Sequence, residues 1–355
     1  MNRIILLCFF LIAHCIATDS FCQRQRAKDF AEAKTTYLTP EPSRYNGNIS
    51  IPFRQIKVID YRFDTSKVGY IVRKRRHECA SFQGGVETTL SDFLNQYFAS
   101  NLDPASSQTL LIVLKKLWLQ YGATNYMLKE KDLPIGHITN EIMRNSVCLA
   151  EIEVFAGNNE TYQAVTKINH HFHDEYSIAR SDFRLLLLPF DSLVNKINTM
   201  NVPQVIASKN KYSIEEIHTA YKKRFDWPVL TQNLSRGIYL SFDDFKNNKA
   251  SYPDFVVKTS RLSSDVMSSK DRSAQIIIDY WGFFDGKDLY VKPGLLPFKA
   301  IRKGNTFDLL GALSGDVSAS SSYTTTQYGT FALNSAVPYI PAKPLQVDME
   351  TGKVY

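Results

Sequence analysis

Apolar residues recur at helical spacing along 89–102. Leu90, Phe93, Leu94, Tyr97, Phe98 and Leu102 fall on one face of a helix, with Thr89 and Asp92 as its cap and Asp103-Pro104 as its stop. Extended patterns surround it. Gln55–Phe63 and Val68–Val72 read as strands, and the rich apolar run Gln108–Leu119 reads as a third. Ser146–Phe155 alternates, with Cys148, Ala150, Ile152 and Val154 on one face. Gly157-Asn158-Asn159 then turns the chain, and Thr161–Asn169 returns as a hairpin partner. Asp191 is placed to cap a helix carrying Leu193, Val194, Ile197 and Met200. Phe183–Leu188 fits helix or strand, and Pro189 argues against one uninterrupted helix.

The second half has different punctuation. Ser213 with Glu216 forms a capping box for a helix with the stripe Ile214, Ile217, Tyr221 and Phe225. Ser241 with Asp244 forms a second, and places Phe242 and Phe245 on one side of a short helix. Asp285-Gly286 between two β-rich runs predicts a tight hairpin. With Pro293-Gly294 and Gly304-Asn305 it divides Ala274–Phe284, Lys287–Lys292, Phe298–Arg302 and Thr306–Leu310 into a β-meander. The Ser/Thr/Tyr run at 314–330 reads as a mobile loop, and 345–355 as strand, turn and strand. These elements predict an α+β protein. A signal peptide (1–17) and a leader (18–52) precede an α+β module with a partly antiparallel sheet (53–200). A helix plus antiparallel β-meander module (213–355) follows.

Two resemblances follow from these residues. The runs Arg236-Gly-Ile-Tyr-Leu-Ser-Phe-Asp-Asp-Phe-Lys-Asn-Asn248, Trp281-Gly-Phe-Phe-Asp-Gly-Lys-Asp-Leu-Tyr-Val291 and Val347-Asp-Met-Glu-Thr-Gly-Lys-Val-Tyr355 occur in that order. Over roughly 235–355 the chain resembles a group of exported Bacteroidetes proteins of unassigned function. That resemblance implies a bacterial envelope location and carries no catalytic residue. In element order alone, 53–200 is similar to small envelope domains. Examples are the N-terminal part of the Tol-system propeller protein and the accessory lipoproteins that activate peptidoglycan synthases. Fold analogy of this kind does not transfer function.

Composition sharpens the picture of compartment. Met1-Asn2-Arg3, the apolar run Ile4–Ala13 and the small residues Cys15 and Ala17 read as a secretory signal cleaved after Ala17. His14 before Cys15 and Phe21 before Cys22 argue against a lipoprotein, and no later run is long and apolar enough for a membrane helix. The expectation is an exported protein, periplasmic or envelope-associated. Cys22, Cys79 and Cys148 remain after cleavage, so at most one disulfide forms, with Cys79–Cys148 favoured; three unpaired thiols is the other reading. The formal net charge is +7. Dispersed basic residues without a reading motif, in an exported chain, exclude nucleic acid and point to anionic envelope polymers or proteins.

Few residues offer chemistry. His171 and His173, two apart on an extended chain, could meet one divalent metal ion with Asp174 beside them. Arg73-Lys74-Arg75-Arg76 is a compact basic run suited to an anion or partner contact. Trp281, with Phe283 and Tyr290, could form an aromatic ligand platform. Cys79 beside the basic run could be a reactive thiol. The expected function is a non-catalytic binding or assembly accessory acting on an envelope protein or polymer. The alternatives are an exported metal-dependent hydrolase using the His170–Glu175 cluster, and a small-ligand or glycan-binding module.

Overall fold

The computed structural model describes residues 34–40, 44–47, 49–73, 76–123, 144–158, 160–174, 182–259, 264–268, 275–277, 279–294, 297–312, 318–326, 329–337 and 345–354. The fold is α+β with largely antiparallel sheets. Two compact units divide the chain. One is Lys34–Arg224, and the other is built on Phe225–Tyr355. The division differs from the sequence expectation at both ends of the first unit. The capped helix beginning at Ser213 belongs to this unit, not to the second. Part of the leader belongs to it as well, since Leu38 and Ile51 are buried in its core.

In the first unit, β1 (Thr35–Tyr37), β2 (Gln55–Asp60), β3 (Gly69–Arg73) and β4 (Arg76–Ser81) lead into helix α1 (Val86–Tyr97). Three long strands follow: β5 (Thr109–Ala123), β6 (Arg144–Gly157) and β7 (Thr161–Asp174). Helices α2 (Asp182–Asn198) and α3 (Val202–Ala207), strand β8 (Lys211–Ser213) and helix α4 (Ile214–Lys222) complete it. The sheet runs β1-β4-β3-β5-β6-β7-β8. β2 lies parallel to β5 over Gln55–Asp60, and β3 meets the same strand further along, at Leu119 and Gln120. That approach is close enough to require glycine. Gly69 has φ +129°, and a Cβ there would stand 2.0 Å from the Leu119 carbonyl oxygen.

A β-bulge at Lys115 explains the near-continuous apolar run of β5. Leu110, Ile112 and Leu114 face the main core before it, and Leu117 and Leu119 after it, so the inward parity changes at the bulge. The same core takes Leu90, Phe93, Leu94 and Tyr97 from α1 and Phe183, Leu186, Phe190, Leu193 and Ile197 from α2. Each such side chain stabilises by roughly 1.5–3 kcal/mol on burial.

Several expectations are corrected. Pro189 sits inside one continuous helix, α2. The apolar face on both sides of it is buried, and tertiary packing outweighs the lost Leu185 hydrogen bond. Thr89 lies within α1, whose N-cap is Gly85, without a side-chain cap bond. No disulfide joins Cys79 to Cys148. Their strands, β4 and β6, are separated in the sheet by β3 and β5. At about 4.8 Å per strand that is far beyond disulfide reach.

The second unit carries α5 (Pro228–Thr231), β9 (Gly237–Tyr239) and α6 (Phe242–Lys246). Strands β10 (Phe255–Thr259), β11 (Ser264–Ser268), β12 (Gln275–Ile277), β13 (Gly282–Phe284) and β14 (Leu289–Val291) follow. They are followed in turn by β15 (Phe298–Lys303), β16 (Thr306–Ala312), β17 (Ser318–Thr326), β18 (Gly329–Val337) and β19 (Leu345–Gln346). The six-stranded sheet β19-β16-β15-β14-β13-β9 contains the expected meander. Ala274–Phe284 is not one strand, because β12 pairs with β11 in a separate three-stranded sheet and β13 pairs with β14 and β9. The Asp285-Gly286 hairpin has a four-residue loop. Asp285 Oδ1 accepts from the N–H groups of Lys287 and Asp288 (both 2.7 Å), and only Gly286 has a positive φ. The Ser/Thr run is not a loop either, since β17 pairs with β18 from Ser318↔Val337 to Thr326↔Gly329. Both capping boxes form as expected, at Ser213/Glu216 and Ser241/Asp244.

Candidate functional site

A set of ionisable side chains in the first unit lies on the sheet face away from the main core. The bulge gives Lys115 to this face, where Glu151 and Glu153 of β6 also stand. Lys115 Nζ pairs with Glu151 and lies 3.2 Å from Glu153. Tyr221 of α4 donates to Glu153 (2.5 Å) and stacks on Tyr61 with ring centroids 5.3 Å apart. Tyr61 in turn bonds His218 Nδ1. Arg224 Nη1 donates to the Tyr61 carbonyl (2.9 Å), and its guanidinium lies 4.7 Å from the Phe63 ring. Burial and the Glu153 charge push the Tyr221 phenol well above its usual range. Tyr221, His218 and Arg224 thus tie α4 and the residues just after it to β6 and to the loop after β2.

That loop buries charge as well. Arg62 is 3% exposed and grips Asp60 with Nε and Nη2, both at 2.8 Å, while Nη1 donates to the Lys67 carbonyl at 2.6 Å. Lys67 Nζ lies 3.2 Å from Asp64 and over the Tyr70 ring at 4.9 Å. Each cation here has its own carboxylate. Such pairs fix one geometry and would cost several kcal/mol, roughly 3–5, to break from one side.

The described residues singled out by sequence fall on different elements. His171 pairs with Leu149, His173 with Val147 and Asp174 with Ser146. His171 and His173 therefore share a parity on β7 that Asp174 does not, and alternate positions lie on opposite faces of a sheet. Among the described residues no group of three His, Cys, Asp or Glu is placed to hold a metal ion. Arg73 and Arg76 are cross-strand partners at the β3–β4 turn, and Lys74 and Arg75 lie outside the described residues. Trp281 stacks on Phe245 at 4.3 Å and donates Nε1–H to the Gly352 carbonyl at 3.0 Å. Phe283 is buried in a different cluster, stacked on Tyr290 at 4.9 Å, so the three rings form no single platform.

What the sequence reading missed is the treatment of the first sheet's edges. The outer edge of β2 is closed by side chains of α1. The Ile56 N–H donates to Asn95 Oδ1 (2.9 Å), the Val58 N–H to Ser91 Oγ (2.9 Å) and the Asp60 N–H to Glu87 Oε2 (3.3 Å). Asn95 Nδ2 also donates to the Ile56 carbonyl at 2.7 Å. The spacing is physical. Four helical residues rise about 6.0 Å, and two strand residues advance about 6.6 Å, so positions 87, 91 and 95 stay in step with 60, 58 and 56. A Glu/Ser/Asn series at i, i+4 and i+8 beside an apolar helix stripe was the available signal.

The outer edge of β7 is treated differently. β8 covers only Thr161–Gln163, and Gln163 Nε2 reaches the carbonyls of Ile206 and Lys209. Beyond that, among the described residues, no strand lies along β7 as far as Asp174. Lys196 Nζ donates to the Lys167 carbonyl at 3.2 Å, which places the backbone groups of Lys167, and by the two-residue period those of Asn169, on the outer side. Both side chains are exposed. No helix of the described residues is long and apolar enough to cross a membrane. No known family model matches the chain, and neither a curated protein nor a solved structure is significantly similar to it.

Proposed function

We propose that this chain is an exported, envelope-associated binding or assembly module, non-catalytic, that acts by accepting an extended segment of a protein partner along β7. The outer edge of β7 carries this reading. The protein uses four side-chain hydrogen bonds to close the edge of β2, and it leaves the longer edge of β7 without a strand beyond Gln163 among the described residues. Exposed strand edges are templates for pairing, and proteins ordinarily blunt them. An edge left open beside one that is closed is suited to β-strand addition, in which the main chain supplies affinity and alternate side chains supply specificity. Export rests on the Met1–Ala17 pattern, and the envelope location on the resemblance over 235–355.

Photo-crosslinking in the cells that make the protein tests the reading. A photoreactive residue at Lys167 or Asn169 should capture one protein, and the same residue at Asp92, on the exposed side of α1, should not. Asn169→Pro removes one outward donor without breaking the β6–β7 ladder. Combined with the probe at Lys167, it should abolish the adduct. No adduct from either β7 position, or equal yield from Asp92, contradicts the proposal.

A further inference from the structure

The small sheet of the second unit departs from the rule that an antiparallel sheet covers one face and turns polar residues outward on the other. Its inner face is ordinary. Phe255, Val257, Val266 and Ile277 pack with Ile238, Tyr280 and Phe283. Its outer face is crossed by an unbroken apolar row. Val256 pairs with Met267 and Met267 with Ile276, one residue from each strand in a line across the sheet. Val256 is 49% exposed, Ile276 is 50% exposed, and Met267 between them is half-buried. Two residues before Val256 stands Asp254 and two residues after it stands Lys258, both exposed, and Asp265, the cross-strand partner of Lys258, is half-buried on the same face.

We infer that this outer face docks a second copy of the chain. The charge pattern selects that occupant. A two-fold axis along the Val256–Met267–Ile276 row lays β10 of one copy antiparallel over β10 of the other. Each apolar residue then meets its own counterpart, as isologous contacts require. The same rotation sets Lys258 over Asp254 of the second copy, twice. An anionic lipid surface would be opposed by Asp254, and an acidic partner by the same residue, whereas the face is complementary to itself. Three side chains on three short strands bury much less than the roughly 800 Å² per partner of a standard interface. The association is therefore weak, with Kd on the order of 0.1–1 mM.

Sedimentation equilibrium of the purified protein between roughly 10 μM and 1 mM tests this. The wild type should pass from monomer to dimer, and Ile276→Glu should weaken the dimer by about tenfold or more. Lys258→Asp alone, which sets like charges opposite each other, should weaken it about fivefold, and Asp254→Lys with Lys258→Asp should restore it to within about twofold. Val256→Thr, a milder change at the same face, guards against misfolding, and unchanged thermal melts identify folded variants. A wild type monomeric at 1 mM overturns the inference. So does a dimer indifferent to Ile276→Glu, a charge swap that fails to restore, or retention on anionic vesicles in place of self-association.

Discussion

Asn95 holds Ile56 by both of its backbone groups, accepting from its N–H at 2.9 Å and donating to its carbonyl at 2.7 Å. A side-chain amide here takes the place of a neighbouring strand. Asn95→Ala should cost about 2 kcal/mol, because two backbone groups of a core strand lose their partners. Asn95→Asp keeps the acceptor and loses the donor, so it should fall roughly midway. Urea midpoints at constant slope measure both. The alanine variant should also self-associate more readily, since it reopens the edge.

A second single-residue keystone lies in the other unit. Asn248 has φ 53°, is buried, accepts from the Ser235 N–H (2.8 Å) and the Tyr239 hydroxyl (3.0 Å), and donates to the Asn233 carbonyl (2.7 Å). Asn248→Gly keeps the left-handed conformation and loses the bonds, at about 2 kcal/mol. Asn248→Ala should cost about 1 kcal/mol more, for the conformation itself. Thermal melts of the two variants separate the contributions.

Asp191 predicts a pH dependence. Burial raises its pKa above 3.8, against the opposing Tyr97 hydrogen bond and Arg184 charge, and its Oδ1 is buried without a hydrogen-bond partner. For an acid raised in the folded state, the stabilising contribution is complete below the unfolded value and is lost as pH rises through the folded value. Asp191→Asn should therefore be more stable than wild type at pH 7. The difference should shrink as pH falls through the carboxylate range and vanish below about 3.8. Paired denaturation curves across that range check the sign.

The C-terminal turn is locked against α6 by close packing. Gly352 has φ +71°, and a Cβ on it would stand 2.2 Å from Phe242 Cγ, while its carbonyl accepts from Trp281 Nε1. Gly352→Ala should destabilise by about 2–3 kcal/mol. Adding Phe242→Ala should recover less than half of that, because alanine keeps the Phe242 Cβ, 2.5 Å from the added methyl, and the backbone strain remains. Chemical denaturation of the single and double variants reads the coupling.

Legibility followed the range of the forces involved. The apolar stripe of α1 and the boxes at Ser213 and Ser241 were readable because their partners lie within four residues. Pro189 misled because its local penalty is outweighed by contacts from β5, β6 and β7 that no local window contains. The Ser/Thr run misled by composition, although Ser318–Thr326 has a pairing partner only a few residues on. Metal-ligand chemistry at His171, His173 and Asp174 rests on residue types, and the two-residue period of β7 gives the two histidines one parity and Asp174 the other. The two edges were hidden most deeply. Which side of β2 or β7 lacks a strand depends on the order of the whole sheet.

Amide hydrogen exchange of the free protein tests the central claim most directly, because it reads the two edges in one experiment. The Ile56 and Val58 amides should exchange as slowly as that of Ile152 in the middle of β6, since side chains of α1 close them. The Lys167 and Asn169 amides, in a strand of the same sheet, should exchange about 100-fold faster or more. Lys167 and Asn169 protected to the level of Ile152 would mean that the edge of β7 is already occupied, and the strand-accepting account would be wrong.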